Sequence, residues 1–156
     1  VGASFGGWVA LEVAVRSCAR VSCIVLIDSV GVKFGSPTEA DIADIYTLKP
    51  DVLRSLQFAD PKASVPDYTA MSLEEARLVV EDRTGESLYA WRPYMHNPVL
   101  HHWIWRIRRP TLVLWGGQDG IVRPDYGRRL AQEIPKAEFH IIEGVHVGQL
   151  AHQGHG

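Results

Sequence analysis

Apolar residues recur at spacings of three and four over residues 5–15, where Trp8, Leu11, Ala14 and Val15 mark one face of an amphipathic helix. The helix is entered directly from a glycine-rich opening. The period then changes: residues 21–27 form a short run rich in β-branched side chains and apolar on both faces, which suits a strand buried in a parallel sheet. Residues 111–115 repeat this pattern, and residues 139–142 repeat it more weakly. A helix over about 125–133 is predicted between those two runs, with Pro124 at its start and Pro135 beyond its end. Strand, helix and strand in this order predict a parallel α/β unit.

Residues 35–109 have a different texture, with helix starts announced one after another and no convincing buried strand. Ser36-Pro-Thr-Glu39 and Ser72-Leu-Glu-Glu75 both read as capping boxes, and Asn97-Pro98 announces a further helix. The expected organisation is therefore an α/β core made of residues 1–34 and 110–156. A helical insertion, residues 35–109, lies between two strands of that core and is long enough to be a subdomain that covers a site. Asp41 and Asp125 are expected to serve early helical turns, where a carboxylate complements the helix dipole.

Composition narrows the function classes. The 156 residues are 46% hydrophobic and 22% charged, far from the balance of a disordered chain. A formal net charge of −2 offers no general attraction for nucleic acid or anionic lipid, so neither is an expected partner. Cys18 and Cys23 are read as reduced, which together with the lack of an 18-residue apolar run points to a cytoplasmic protein without a membrane span. The chain does not begin with Met and opens inside a motif, so its natural amino terminus is expected to lie upstream.

The chemistry starts at that opening. Gly2-Ala3-Ser4-Phe5-Gly6 fits Gly-x-Ser-x-Gly, the pattern that seats a serine on a sharp strand-to-helix turn with its hydroxyl exposed. The helix entry also leaves the Phe5 backbone N–H available to stabilise an oxyanion. A serine hydroxyl needs a base to take its proton, and the base needs a carboxylate to fix its tautomer. Asp119 follows a predicted strand in Trp115-Gly-Gly-Gln-Asp119, where open α/β sheets place functional loops, and His146 follows the last predicted strand across Gly144. Asp28, at the end of the earlier strand, is the alternative acid. His96, His101 and His102 match no metal-site spacing, so no metal is expected. Trp91, Trp103 and Trp105 are candidates for lining a substrate cavity, weighed against a packing role.

These residues carry a resemblance. From Ser4 onward the chain resembles the α/β-hydrolase fold superfamily: residues 109–124 look like its seventh strand and acid loop, and residues 139–146 look like its eighth strand and histidine loop. The resemblance implies a partial α/β-hydrolase fold, mostly parallel, with a helical cap and without the amino-terminal strands. It implies Ser4 as nucleophile, Asp119 as acid, His146 as base and the Phe5 N–H as half of an oxyanion hole, with no cofactor. Val145 stands where the family usually has Gly, and the histidine loop is one residue shorter. The implied activity is hydrolysis of a small ester, thioester or related acyl compound, with carbon–carbon hydrolysis and cofactor-free peroxidase chemistry also open. A non-catalytic binding protein that keeps the fold is the alternative. The 156-residue piece alone is expected to be inactive, because the second oxyanion donor belongs to the upstream part, and to expose a strand edge that favours aggregation.

Overall fold

A computed structural model describes residues 1–58 and 70–144. Its elements in chain order are β1 (Gly2–Ala3), α1 (Phe5–Arg16), β2 (Ile24–Ile27), α2 (Pro50–Gln57), α3 (Leu73–Ala90), β3 (Thr111–Gly116), α4 (Pro124–Glu133) and β4 (Ala137–Ile142), with two short 3₁₀ turns at Leu100–His102 and Ile104–Arg106. The four strands form one parallel sheet in the order β1-β2-β3-β4. The expected α/β unit is present, because α4 carries the chain from β3 back to the parallel strand β4.

Burial explains why the strands read unequally in sequence. Leu26 of β2 and Val113 of β3 are register partners, and both are fully buried. In β4 the positions alternate between partly buried and exposed, so its apolar run is weaker. Strand β2 is shorter than the predicted 21–27, since ladder pairing with β3 begins at Ile24. On its other side β1 pairs only Leu26 and Ile27, which leaves the first half of β2 without a ladder partner there among the described residues.

The helices cover this sheet with the faces their periodicity announces. Helix α1 buries Gly7, Leu11, Ala14 and Val15, and α4 buries Tyr126, Gly127, Leu130 and Ala131. Trp115 fills the space under α4, where its ring meets Tyr126 and Phe139 and its Nε1 donates to the Val122 carbonyl at 2.7 Å. Gly127 is needed for this fit: a Cβ there would lie 2.2 Å from the Trp115 ring.

Between β2 and β3 the described residues form helices, turns and one isolated bridge, Gly31 to His96. Ser72 and Glu75 form the expected reciprocal capping box of α3. Ser36 to Glu39 does not start a helix. The Glu39 carboxylate accepts from the Ser36 amide at 2.9 Å, as in a box, but the four residues close a turn instead. Asp41 likewise serves no helical turn, because its carboxylate accepts from the Phe34 and Gly35 amides and from Lys33, pulling the segment into a loop. Asn97-Pro98 leads into the 3₁₀ turns, not a longer helix. Leu100, Ile104 and Ile107 from this stretch are buried in the same core as Leu11 and Leu26. Among the described residues no helix is long and apolar enough to cross a membrane, and Cys18 and Cys23 are free thiols.

Candidate active site

Parallel pairing sets the site, because it brings the carboxyl ends of neighbouring strands to one edge of the sheet. Ala3 is level with Ile27, Ile27 with Leu114, and Gly116 with Ile142. Ser4 and Asp28 therefore follow adjacent strand ends directly, and Asp119 follows three residues beyond β3. His146 lies outside the described residues, four positions past the end of β4.

Ser4 occupies the turn between β1 and α1 with φ 48° and ψ −118°, a left-handed conformation that costs a side-chain-bearing residue on the order of 1–3 kcal/mol. Surrounding hydrogen bonds hold it there. The Ser4 amide donates to the Ile27 carbonyl at 2.9 Å, while the Ser4 carbonyl accepts from the amides of Gly7, Trp8 and Val30 at 3.0, 3.3 and 3.3 Å. The hydroxyl makes no cap bond to the helix. Phe5 supplies the first amide of α1, which has no carbonyl one turn earlier in the helix to bond.

Close approach makes this turn possible. A Cβ on Gly2 would lie 2.3 Å from the Gly6 carbonyl oxygen, and one on Gly7 would lie 2.3 Å from Ser29 Oγ. Gly6, the second glycine of the motif, meets no described atom within 4 Å. The two positions where a side chain would clash are thus Gly2 and Gly7, the second outside the motif, and the Gly6-Gly7 doublet is the signal for it in the sequence.

Two carboxylates sit beside each other at the ends of β2 and β3. Asp28 is 1% exposed and Asp119 is 3% exposed. Oδ1 of Asp28 accepts from the Gly116 amide at 2.8 Å, and Oδ1 of Asp119 accepts from the amides of Ile121 and Val122 at 2.8 and 3.0 Å. The second oxygen of each is buried and has no hydrogen-bond partner among the described residues. Burial raises the Asp28 carboxyl to about 6 against the single bond from Gly116. Burial raises Asp119 to about 7, its backbone bonds oppose this, and the neighbouring charge of Asp28 adds to it.

The sign of the resulting pH dependence follows directly. Both folded-state values lie above the ordinary 3.8, so the folded state binds more protons than the unfolded chain between about pH 4 and pH 7. These groups contribute stability that is fully present below that window and lost as pH rises through it. The urea midpoint should therefore fall between pH 5 and pH 8, and Asp119→Asn should fall less; an equal fall in both would show that Asp119 is not the source.

The remaining candidates are dispersed. Trp103 is 46% exposed, lies under the Arg106 guanidinium and borders a groove with Glu12 and Arg16. Those helix positions are roughly 12–18 Å beyond Ser4 along the axis of α1. Trp105 is 53% exposed beneath Arg108 and donates to the His102 carbonyl, while Trp91 at the end of α3 is 56% exposed with its ring against Tyr46. His96 Nδ1 contacts the Tyr94 carbonyl at 2.7 Å, and His101 stands 3.6 Å from Glu133. Among the described residues no group of three His, Cys, Asp or Glu side chains could hold a metal.

One polar cluster was not anticipated. Glu12 of α1 accepts from Trp8 at 3.1 Å and from Asn97 at 2.7 Å and pairs with Arg16. Burial raises its carboxyl, and these donors outweigh that and hold it below the usual range. The sequence marks Asn97 only as a helix start, since its partner is 85 residues away. The groove beside this cluster, about 460 Å³, runs from Phe5 along Val9 and Val13 under Tyr89.

Comparison with known proteins places this geometry. Residues 1–155 match the alpha/beta hydrolase family. The chain is 31% identical over 160 residues to a 2-hydroxymuconate semialdehyde hydrolase of Pseudomonas putida, a match that covers 97% of this chain and 54% of that protein. Among solved structures, it resembles a 2-hydroxy-6-oxo-6-phenylhexa-2,4-dienoate hydrolase of Rhodococcus sp. strain RHA1, with TM-score 0.64, 24% identity and coverage of 97% of this chain and 58% of that one. It also resembles a serine hydrolase of the polyaromatic-hydrocarbon-degrading bacterium Cycloclasticus zankles, with TM-score 0.65, 21% identity and coverage of 96% and 57%. Identities this low show a shared fold, and the chain spans about half the length of the curated relatives it matches. With its parallel sheet, its serine turn and a match along nearly its whole length, the chain belongs to the alpha/beta hydrolase family.

Proposed function

We propose that the protein carrying this chain is a serine hydrolase that cleaves a carbon–carbon bond in a small 2-hydroxy-6-oxo-dienoate acid of the 2-hydroxymuconate semialdehyde type. The observation that carries the reading is the strained Ser4 turn, placed at the same sheet edge as the buried carboxylate of Asp119. The substrate class rests on the relatives, whose names specify such acids. Residues 35–109 are proposed as the cap over the site.

In this reading His146, oriented by Asp119, takes the Ser4 proton as the hydroxyl oxygen attacks the substrate carbonyl. The oxyanion that forms accepts from the Phe5 amide, which the helix entry has already aimed there. Collapse of the tetrahedral species breaks the carbon–carbon bond, the imidazolium protonates the departing carbon, and water then releases the acyl group from Ser4. The base role of His146 is supported by its place in the chain after β4 and by the unpartnered second oxygen of Asp119.

The test uses the full-length protein with 2-hydroxymuconate semialdehyde, a p-nitrophenyl ester and a fluorophosphonate probe. Expected are turnover of the semialdehyde and a single probe adduct that maps to Ser4. Ester turnover without semialdehyde turnover would overturn the substrate class, and a folded protein that forms no adduct at Ser4 would overturn the mechanism.

A further inference from the structure

Two acidic groups at one end of the sheet are one more than a single orienting carboxylate requires. Both are almost fully buried, and both are anchored on the same residue, Gly116. Gly116 donates its amide to Asp28 Oδ1 at 2.8 Å, and its carbonyl accepts from the Asp119 amide at 3.1 Å. The Asp28 backbone is fixed as tightly, with its amide donating to Leu114 at 3.1 Å and its φ at 44°. Neither side chain can therefore leave without breaking strand-end bonds, and each keeps one buried oxygen unpartnered among the described residues.

We propose that Asp28 is a positioning residue for Asp119: it fixes the start of the acid loop through Gly116, and its charge couples to that of Asp119. The proposal rests on the reading of Asp119 as the acid that orients His146. Two negative charges at the closed end of a sheet repel in a low-dielectric surrounding, and each ionisation opposes the other. No cation among the described residues relieves them. Gly116, Ile121 and Val122 contribute only backbone amides, Arg123 and Asp125 at the start of α4 are exposed, and Lys33 is paired with Asp41. Burial raises both carboxyls, and the charge of Asp28 raises that of Asp119 further, in agreement with this geometry.

The coupling gives Asp28 a signature that a purely structural residue lacks. Removing its charge lets Asp119 ionise at lower pH, and the imidazole beyond it also loses a stabilising anion, so both effects move the acidic limb of reactivity downward. The experiment measures the rate of fluorophosphonate labelling of Ser4 against pH in the full-length protein. Asp28→Asn keeps an acceptor for Gly116, and its limb should move down by about one pH unit with the plateau retained. Asp28→Ala loses that acceptor as well, and its plateau should fall by about tenfold. Asp119→Asn should lose labelling by about a thousandfold or more.

An Asp28→Asn limb that coincides with the wild type, or moves upward, overturns the proposal while Asp119→Asn still supports the triad. Normal labelling in Asp119→Asn with loss in Asp28→Asn overturns the acid assignment itself, and this proposal with it. If Asp28→Asn does not fold, carbon-13 titration of the wild-type aspartates decides. Two linked steps, both above the ordinary aspartate range, support the coupling, and two independent ordinary titrations refute it.

Discussion

Replacing Ser4 by Ala in the full-length protein will lower turnover by at least about a thousandfold and leave the melting behaviour close to wild type. The two expectations have separate causes. Alanine removes the attacking oxygen, but it keeps the Cβ and hence the conformational cost at φ 48°. Ser4→Gly separates chemistry from strain: it is equally inactive, and it should be more stable by about 1 kcal/mol because glycine adopts this backbone freely. Denaturant melts of the three proteins, together with their turnover numbers, check both parts. If Ser4→Ala retained activity, the nucleophile would lie elsewhere.

The second large effect is expected at Gly2. A methyl group there would meet the Gly6 carbonyl oxygen at 2.3 Å and the Gly7 Cα at 2.8 Å, both backbone atoms that cannot rotate away. Gly2→Ala must therefore push α1 off β1, at a cost of about 1–3 kcal/mol, and a shift of Ser4 near 1 Å is enough to cost about a hundredfold in turnover. Gly6→Ala is the internal control. It meets no described atom, and it replaces glycine with a better helix former inside α1, so stability should hold or rise by up to about 1 kcal/mol. Urea denaturation and kcat for the two variants distinguish this steric account from one in which both motif glycines are equally required.

Local periodicity carried most of the fold. The helix over residues 5–16, the strand before Asp28 and the strand–helix–strand unit that ends at Ile142 were all legible, because their apolar faces are buried against the sheet. Legibility failed where a local signal had two uses. Ser36-Pro-Thr-Glu39 and Ser72-Leu-Glu-Glu75 carry the same capping pattern, yet only the second continues as a helix. After Glu39 the chain is claimed by Asp41, which binds the amides of Phe34 and Gly35 and draws the segment back on itself. Tyr94 and Tyr126 act in the same nonlocal way. The Tyr94 hydroxyl bridges the Ile45 amide and the Ala43 carbonyl, and that of Tyr126 bridges the amide and carbonyl of Val32.

The site divides along the same line. The chain order of Ser4, Asp119 and His146, and the turn that seats the serine, are properties of the sequence, because a motif of adjacent residues and a strand end are local features. Tertiary structure alone decided that Ser4, Asp28 and Asp119 share one edge, since that depends on parallel register between segments up to 115 positions apart. It also decided that Gly7 must yield to Ser29, and that Asp28 binds Gly116 across 88 positions. Hydrogen bonds and steric contacts of this kind act over a few ångströms in space and leave no periodic trace along the chain, which is why no reading of neighbours could have found them.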